Sequence, residues 1–297
     1  MPEKIEDAVQ PKAWYDALPR PQYKELKKVL ADDWFEVYEL PNQVYAIYEP
    51  RHFQEVISFL VLGSQKAMLV DTGMGFKKIK PIVDQLTKLP VFVVNTHSHF
   101  DHIGGNWEFT EGYILDTEPS RFRMTNGLME KDVIKHLVED SVWGDYPEGF
   151  DPDNYYIKPV PYWNYIQSGH CFDLGGRQIE ILATPGHSPD SIMLADKDNQ
   201  ILFTGDTVYP ATMYAHLSSD DGMLSEQGVY RRTMHQVADA FSTYQIYCSH
   251  NEPLRDGAML TAIADAFDAI ENGLTPDAVD EKGLNKYQFD GFAITTL

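Results

Sequence analysis

Thr96-His97-Ser98-His99-Phe100-Asp101-His102 places four metal-competent side chains within six positions. The stretch follows Val91-Phe92-Val93-Val94, an apolar, β-branched run that reads as a buried strand. It precedes Gly104-Gly105. A strand that ends in a loop of His and Asp aims rigid ligands at one point. Alternation lets His97 and His99 face the same way, while Asp101 and His102 turn toward a neighbouring point.

Working upstream, Trp34–Leu40, Gln43–Glu49, Glu55–Leu62 and Lys66–Val70 read as four consecutive strands. Pro41-Asn42, Pro50 and Gly63-Ser64 break them, and antiparallel hairpins are the simplest connection. Asp71-Thr72-Gly73-Met74-Gly75 then leads into a helix expected over Phe76–Leu89. Asp71 has two readings: a cap for that helix, or an acceptor that orients the metal loop. Residues 1–33 are polar and proline-punctuated, and read as an arm packed on the domain with a short helix over Tyr23–Leu30.

Downstream, Gly112–Asp116 reads as a strand and Pro119–Asp140 as a helix. An aromatic-rich segment follows, with Trp143, Tyr146, Phe150, Tyr155, Tyr156, Tyr162, Trp163 and Tyr165. So many aromatics argue against disorder, and a long irregular segment argues for function. Residues 117–170 are therefore expected to form a cap over a site, with ordinary packing as the alternative. Phe172–Leu174, Gln178–Ala183, Ser191–Leu194, Gln200–Thr204 and Gln245–Cys248 restore short strands. Helices are expected over Gly222–Phe241 and Pro253–Glu271, and 273–297 reads as a polar tail. No fixed-period repeat interrupts the chain, so one domain over 1–297 with an inserted cap is the simplest division.

The 24 basic and 45 acidic residues give a net charge of -21. Such a surface repels phosphate backbones and anionic membranes, which points away from both as partners and toward a small molecule. A bound metal can still reverse the local field for an anionic substrate. With Cys171 and Cys248 alone, neither a disulfide framework nor a cysteine-rich zinc site is available. The N-terminus shows no basic segment followed by an apolar core. The longest apolar run, Val56–Leu62, is far below the ~20 residues of a transmembrane helix. A cytoplasmic protein is the expectation. An exposed apolar cap would serve a homodimer contact as well as a pocket wall.

His187, Asp206 and His250 share the context of the opening loop. Each sits just after an apolar strand, in a loop with Gly, Pro or Ser. Loops along one sheet edge can converge in space. Seven candidates result: His97, His99, Asp101, His102, His187, Asp206 and His250. Seven exceed one tetrahedral zinc but suit two metals a few ångströms apart. His52, His136, His170 and His235 have no such context and read as surface or packing residues. His216, in the loop after Asp206, is within reach of the site mouth, although a bland role is the simpler reading. Cys248 reads as packing.

This pattern resembles the metallo-β-lactamase-fold hydrolase superfamily over roughly residues 34–272. The resemblance rests on Asp71, the His-x-His-x-Asp-His of His97 to His102, Gly186-His187, the Gly-Asp-Thr around Asp206, and His250 after a strand. It implies a four-layer αβ/βα sandwich with the site at one sheet edge. It implies that His97, His99 and His187 hold one divalent ion and that Asp101, His102 and His250 hold a second, with Asp206 bridging. Zinc is the expected metal, and a nitrogen and oxygen ligand set also admits manganese or iron. The implied chemistry is attack of a metal-bound hydroxide on the carbonyl of a small ester or lactone, with Asp101 orienting the nucleophile. Thioester hydrolysis of the hydroxyacylglutathione hydrolase type is the alternative. Many β-lactamases of the superfamily carry Cys where this chain has Asp206, which counts against that activity. A di-iron oxidoreductase would usually carry Glu in place of His99, and nothing favours a non-catalytic metal-binding module. Tyr209, three residues after Asp206, matches a lactonase Tyr that contacts the substrate carbonyl, with a packing role as the equal alternative.

Overall fold

The computed structural model describes residues 13–129, 138, 141–216, 226–280 and 283–297. The apolar run at Val91–Val94 is the sixth strand of an eight-stranded sheet. Its strands lie in chain order: β1 (Lys27–Ala31), β2 (Glu36–Leu40), β3 (Val44–Tyr48), β4 (Ile57–Leu62), β5 (Ala67–Val70), β6 (Val91–Val94), β7 (Gly112–Leu115) and β8 (Asn164–Ile166). β1 to β5 are antiparallel, as hairpin connections require. β5 to β8 are parallel. Parallel neighbours need crossovers, and these carry α1 (Lys80–Leu86), α2 (Phe100–Ile103) and α3 (Glu118–Asn126).

The second sheet contains β9 (Cys171–Asp173), β10 (Gln178–Ala183), β11 (Ile192–Asp196), β12 (Ile201–Phe203), β14 (Gln245–Tyr247) and β15 (Leu254–Asp256), in the order β15-β14-β12-β11-β10-β9. α4 (Gln227–Phe241) carries the crossover between the parallel strands β12 and β14. α5 (Ala258–Glu271) follows β15.

Side-chain alternation decides how these layers stack. On β4 and β6, Phe59, Val61, Phe92 and Val94 pack against Ile181, Leu194 and Phe203 of the second sheet. The intervening Leu60 and Val93 face the outer side, against Ile82, Val83 and Phe100 of the helical layer. On the far side of the second sheet, Met193, Leu202 and Ile246 meet Tyr230 and Met234 of α4 and Leu260 and Phe267 of α5. This is the expected αβ/βα sandwich. Each fully buried Leu or Phe contributes about 1.5–3 kcal/mol, so the sheet pair is the rigid base of the loops at its edge.

Several local expectations differ from the structure. Tyr23–Leu30 is no helix: a 3-10 turn over Pro21–Lys24 is followed by edge strand β1. Lys27 and Lys28 find Glu39 and Glu36 across that edge, and pairing with β2 satisfies the backbone. α1 is shorter than Phe76–Leu89, because residues 71–79 form the loop that reaches the site. α3 stops at Gly127, whose φ of +67° suits glycine. The rest of the helix expected over Pro119–Asp140 falls largely outside the described residues, as does the start of the one expected at Gly222. A short strand, β15, replaces the first turn of the helix expected at Pro253.

The segment read as a polar tail forms β16 (Ala278–Val279), β17 (Asn285–Phe289) and β18 (Phe292–Thr296). They build a third sheet in the order β13-β18-β17-β16, where β13 is Thr212–Tyr214. Tyr287, Phe292 and Ile294 enter the core with α4 and α5. The polar composition concealed this sparse alternation. Of the cap expected over 117–170, α3 borders the groove beside His99, and the aromatic part packs elsewhere. Phe150 stacks on Phe76, and Trp163 is buried in the outer core. Among the described residues it lines no part of the groove beside His99; α3 does.

The loops after β5 and β6 lie backbone against backbone: the Gly104 amide donates to the Gly73 carbonyl at 2.9 Å. A Cβ on Gly104 would sit 2.2 Å from the Met74 carbonyl carbon. Gly104→Ala is expected to destabilise the protein by about 2–3 kcal/mol, read from urea unfolding. A loss below about 0.5 kcal/mol would contradict this close approach.

Candidate metal centre

All seven candidate side chains converge at one edge of the two sheets, and all are buried. Five segments deliver them. The loop after β6 brings His97 and His99, and α2 brings Asp101 and His102. His187 comes from the loop after β10, Asp206 from the loop after β12, and His250 from the loop after β14. The sheets meet tightly here. The Thr96 carbonyl accepts from the Ile192 amide at 2.8 Å, and a Cβ on Gly205 would lie 2.8 Å from Thr96 Cβ.

The side chains form two groups that share one carboxylate. His97, His99, His187 and Asp206 make the first, and Asp101, His102, Asp206 and His250 the second; within each, the ligand atoms lie within 4.8 Å of one another. Asp206 Oδ2 is 3.7 Å from His97 Nε2 and 3.4 Å from His187 Nε2. Its Oδ1 is 3.0 Å from His102 Nε2 and 2.8 Å from His250 Nε2. Asp101 Oδ2 stands 3.5 Å from His102 Nε2 and 3.7 Å from His250 Nε2.

Hydrogen bonds on the far side of three rings determine which nitrogen points inward. His102 Nδ1–H donates to Asp71 Oδ2 at 2.8 Å. His250 Nδ1–H donates to the Gln54 carbonyl at 2.6 Å. Thr96 gives its only hydroxyl proton to Asp71 Oδ2 at 2.7 Å and so accepts from His97 Nδ1–H at 3.0 Å. Each Nε2 therefore presents a lone pair to the centre. Two acceptors facing each other at 2.8–3.0 Å, as His250 and His102 face Asp206, require a proton or a cation between them. His99 Nδ1 and His187 Nε2 also face each other, at 3.0 Å. His97 Nε2 and His102 Nε2 are buried without a hydrogen-bond partner. A divalent ion in each group would satisfy all of these atoms, and the nitrogen and oxygen donor set suits zinc, manganese or iron.

The protonation tendencies follow from burial and from neighbouring charge. Burial holds the imidazoles of His97 and His99 well below their ordinary range, helped by adjacent histidines. Burial likewise lowers His187 to about 4. For His102 and His250 burial opposes the charge, but the carboxylates of Asp206 and Asp101 outweigh it and raise both. Burial would raise Asp206, yet His102, His250 and His97 hold it well below the carboxylate range. Burial raises Asp101, with Asp206 adding to the effect against His102.

Asp71 orients the loop rather than capping a helix, since α1 begins at Lys80. Besides His102 and the Thr96 hydroxyl, it accepts from the Thr96 amide at 2.7 Å. Tyr209 is buried with its ring 4.9 Å from that of His250, and its hydroxyl donates to the Thr212 carbonyl at 2.6 Å. His216 lies against Tyr214 and the Thr295 carbonyl. His52 is buried and accepts from the Gln54 amide, His170 packs on Phe172, and His235 pairs with Asp268. His136 lies outside the described residues. Cys248 is in the core beneath α5, where burial pushes its thiol up to about 12; Cys171 is exposed and free.

Sequence reasoning missed four supporting polar residues. Asn95 donates to the His102 carbonyl, Asn106 donates to Asn95, and the Trp163 indole donates to Asn95 as well. Glu49 accepts from the Trp34 indole and the Met74 amide, and burial raises its carboxyl to about 7. Asp190 holds Ser98. Isolated Asn, Asp and Glu carry no local pattern, so only the Thr-Pro-Gly-His-Ser-Pro-Asp run hinted at one of them.

No helix among the described residues is long and apolar enough to cross a membrane. A family model described as the metallo-beta-lactamase superfamily matches residues 53–234. The chain is 28% identical over 193 residues to the acyl-coenzyme A thioesterase MBLAC2 of Gallus gallus, covering 61% of this chain and 68% of that one. It spans 59% of the length of the Homo sapiens protein of the same name. It is 23% identical over 159 residues to the hydroxyacylglutathione hydrolase GloC of Haemophilus influenzae, covering 53% and 68% of the two chains. A beta-lactamase domain protein from Burkholderia ambifaria shares the fold, with a TM-score of 0.60 at 18% identity over 90% of this chain and 86% of the other. With a matched family model over most of its length and a two-sheet sandwich that gathers seven His and Asp side chains at one edge, the chain belongs to the metallo-beta-lactamase superfamily.

Proposed function

We propose that this superfamily hydrolase cleaves an acyl thioester at a dinuclear divalent-metal centre. The observation that carries the dinuclear reading is the position of Asp206, whose two oxygens face different groups of histidines. His97, His99 and His187 would hold one ion and Asp101, His102 and His250 the other, with Asp206 shared by both groups. Two divalent ions supply Lewis acidity at the substrate carbonyl and lower the pKa of water at the site. The protein contributes the rest. Asp71, Thr96 and Gln54 keep three imidazoles in the tautomer whose lone pair points inward. Asp101, raised by burial, would take up on its carboxylate the proton released by the attacking water. The sheet edges exclude bulk water: even the most exposed of the seven residues, His99, is only 7% accessible.

The thioester assignment is supported by the names of the curated relatives, an acyl-coenzyme A thioesterase and a hydroxyacylglutathione hydrolase. An oxygen ester or lactone is the second reading, favoured by the Tyr209 phenol beside His250. Its hydroxyl proton is given to Thr212, so contact with a substrate carbonyl requires that bond to break. A panel of thioesters, esters and lactones separates the two readings. Chelation is expected to abolish turnover, and Asp101→Asn to lower kcat by about 100-fold with KM within a few-fold. Full activity in a rigorously metal-free preparation overturns the proposal.

A further inference from the structure

A groove of about 810 Å³ opens beside the first group of candidate ligands. Ser98, His99, Ser188 and Asp190 form one side, and α3 with Thr117, Phe122 and Thr125 forms the other. Asp190 itself is buried and 1% accessible. Its Oδ2 accepts from the Ser98 amide at 2.9 Å and from the Ser120 hydroxyl of α3 at 3.0 Å. Its Oδ1 accepts from the Ser188 hydroxyl at 2.7 Å. Ser98 lies between His97 and His99, and Ser188 follows His187. One carboxylate therefore ties together the two loops that carry the three histidines of the first group, and ties both to the groove wall. These three donors, a backbone amide and two hydroxyls, are all neutral. Burying a carboxylate on such partners costs free energy, and a divalent ion in the adjacent group would offset that cost. No comparable carboxylate link joins α3 to the second group among the described residues.

We infer that Asp190 is a positioning residue that sets the His97, His99 and His187 group for metal and couples it to the α3 wall of the groove where substrate lies. It acts on the first ion and not on the second. The Ser120 bond transmits only groove geometry, so it affects substrate binding and not the metal. The inference rests on the dinuclear reading, whose failure shows as absent metal binding by the unmodified chain before any variant is compared.

The test is zinc affinity measured by competition with a chromophoric chelator, in two backgrounds of the full chain. His250→Ala disables the second group, and His187→Ala disables the first. Adding Asp190→Asn, which keeps the side-chain shape and removes the charge, is expected to weaken zinc about tenfold in the His250→Ala background. In the His187→Ala background the change is expected to stay within about twofold. Ser120→Ala in the otherwise unmodified chain is expected to leave both zinc affinities unchanged and to raise KM several-fold with kcat retained. Equal weakening in the two backgrounds, or none in either, overturns the role in the first group. A Ser120→Ala variant that leaves KM unmoved overturns the coupling to the groove, and one that weakens zinc overturns the restriction of the Ser120 bond to groove geometry. Circular dichroism and thermal unfolding of each variant identify any misfolded protein, and Ser188→Ala, which removes a single bond to the same carboxylate, then replaces Asp190→Asn with the same expected split.

Discussion

Asp206→Asn is expected to lower kcat/KM by about 10³, corresponding to about 4 kcal/mol of lost transition-state stabilisation. It is also expected to reduce the metal content of purified protein from two ions toward one. The reason lies in the placement of the two oxygens. Oδ1 faces His102 and His250, and Oδ2 faces His97 and His187. An amide keeps one oxygen and turns an NH2 group toward the other set of histidines. That NH2 can only donate, whereas the imidazoles must keep their lone pairs for metal. The substitution also removes the central negative charge, which two dications in a buried site need. Elemental analysis together with steady-state kinetics checks both parts. A variant that retains two ions and near-normal turnover would remove the case for a bridging carboxylate.

Asp71→Ala is expected to produce the largest loss of stability among substitutions near the centre, about 3–5 kcal/mol. Three buried donors lose their acceptor at once: the Thr96 amide, the Thr96 hydroxyl and His102 Nδ1–H. Asp71 also has a φ of +61°, a conformation that costs alanine roughly 1 kcal/mol more. The same change frees the Thr96 proton, so His97 loses the restraint that fixes its tautomer. Thermal unfolding is expected to shift down by about 10 °C, and hydrolysis to fall even at temperatures where the variant is folded. Asp71→Asn, which keeps one acceptor oxygen, is expected to lie between. A thermal shift below about 2 °C for Asp71→Ala would mean that the loop holds its shape without this carboxylate.

These two residues differ in how openly the sequence displays them. Asp206 sits in Gly-Asp-Thr after an apolar strand, the same context as His187 and His250, and repetition of that context made it readable. Asp71 was ambiguous, because a short acidic residue before a helical segment caps helices more often than it orients a neighbour. Only the parallel pairing of β5 with β6 brings its carboxylate against Thr96 and His102. The tail at 273–297 was misread for a different reason. Its apolar residues are few, and their alternation gains meaning only where β18 pairs with β13, some eighty residues earlier. The order of the aromatic segment is legible in its composition, whereas the packing of Phe150 on Phe76 and of Trp163 in the outer core, with Trp143, Tyr156 and Tyr162 left exposed, rests on contacts that no local pattern encodes.

What the sequence by itself determined is the chemistry: seven His and Asp residues, each after an apolar strand, in an order compatible with two metal sites. Strand alternation and loop composition are local, and local patterns survive in one dimension. The tertiary structure decided which nitrogen of His97, His102 and His250 faces inward, and that Asp190 and α3 border the groove at His99. These depend on contacts between residues 25 to 92 positions apart, such as Asp71 with Thr96 and Asp190 with Ser98. Such contacts form only when the two sheets pack and bring their loop edges together.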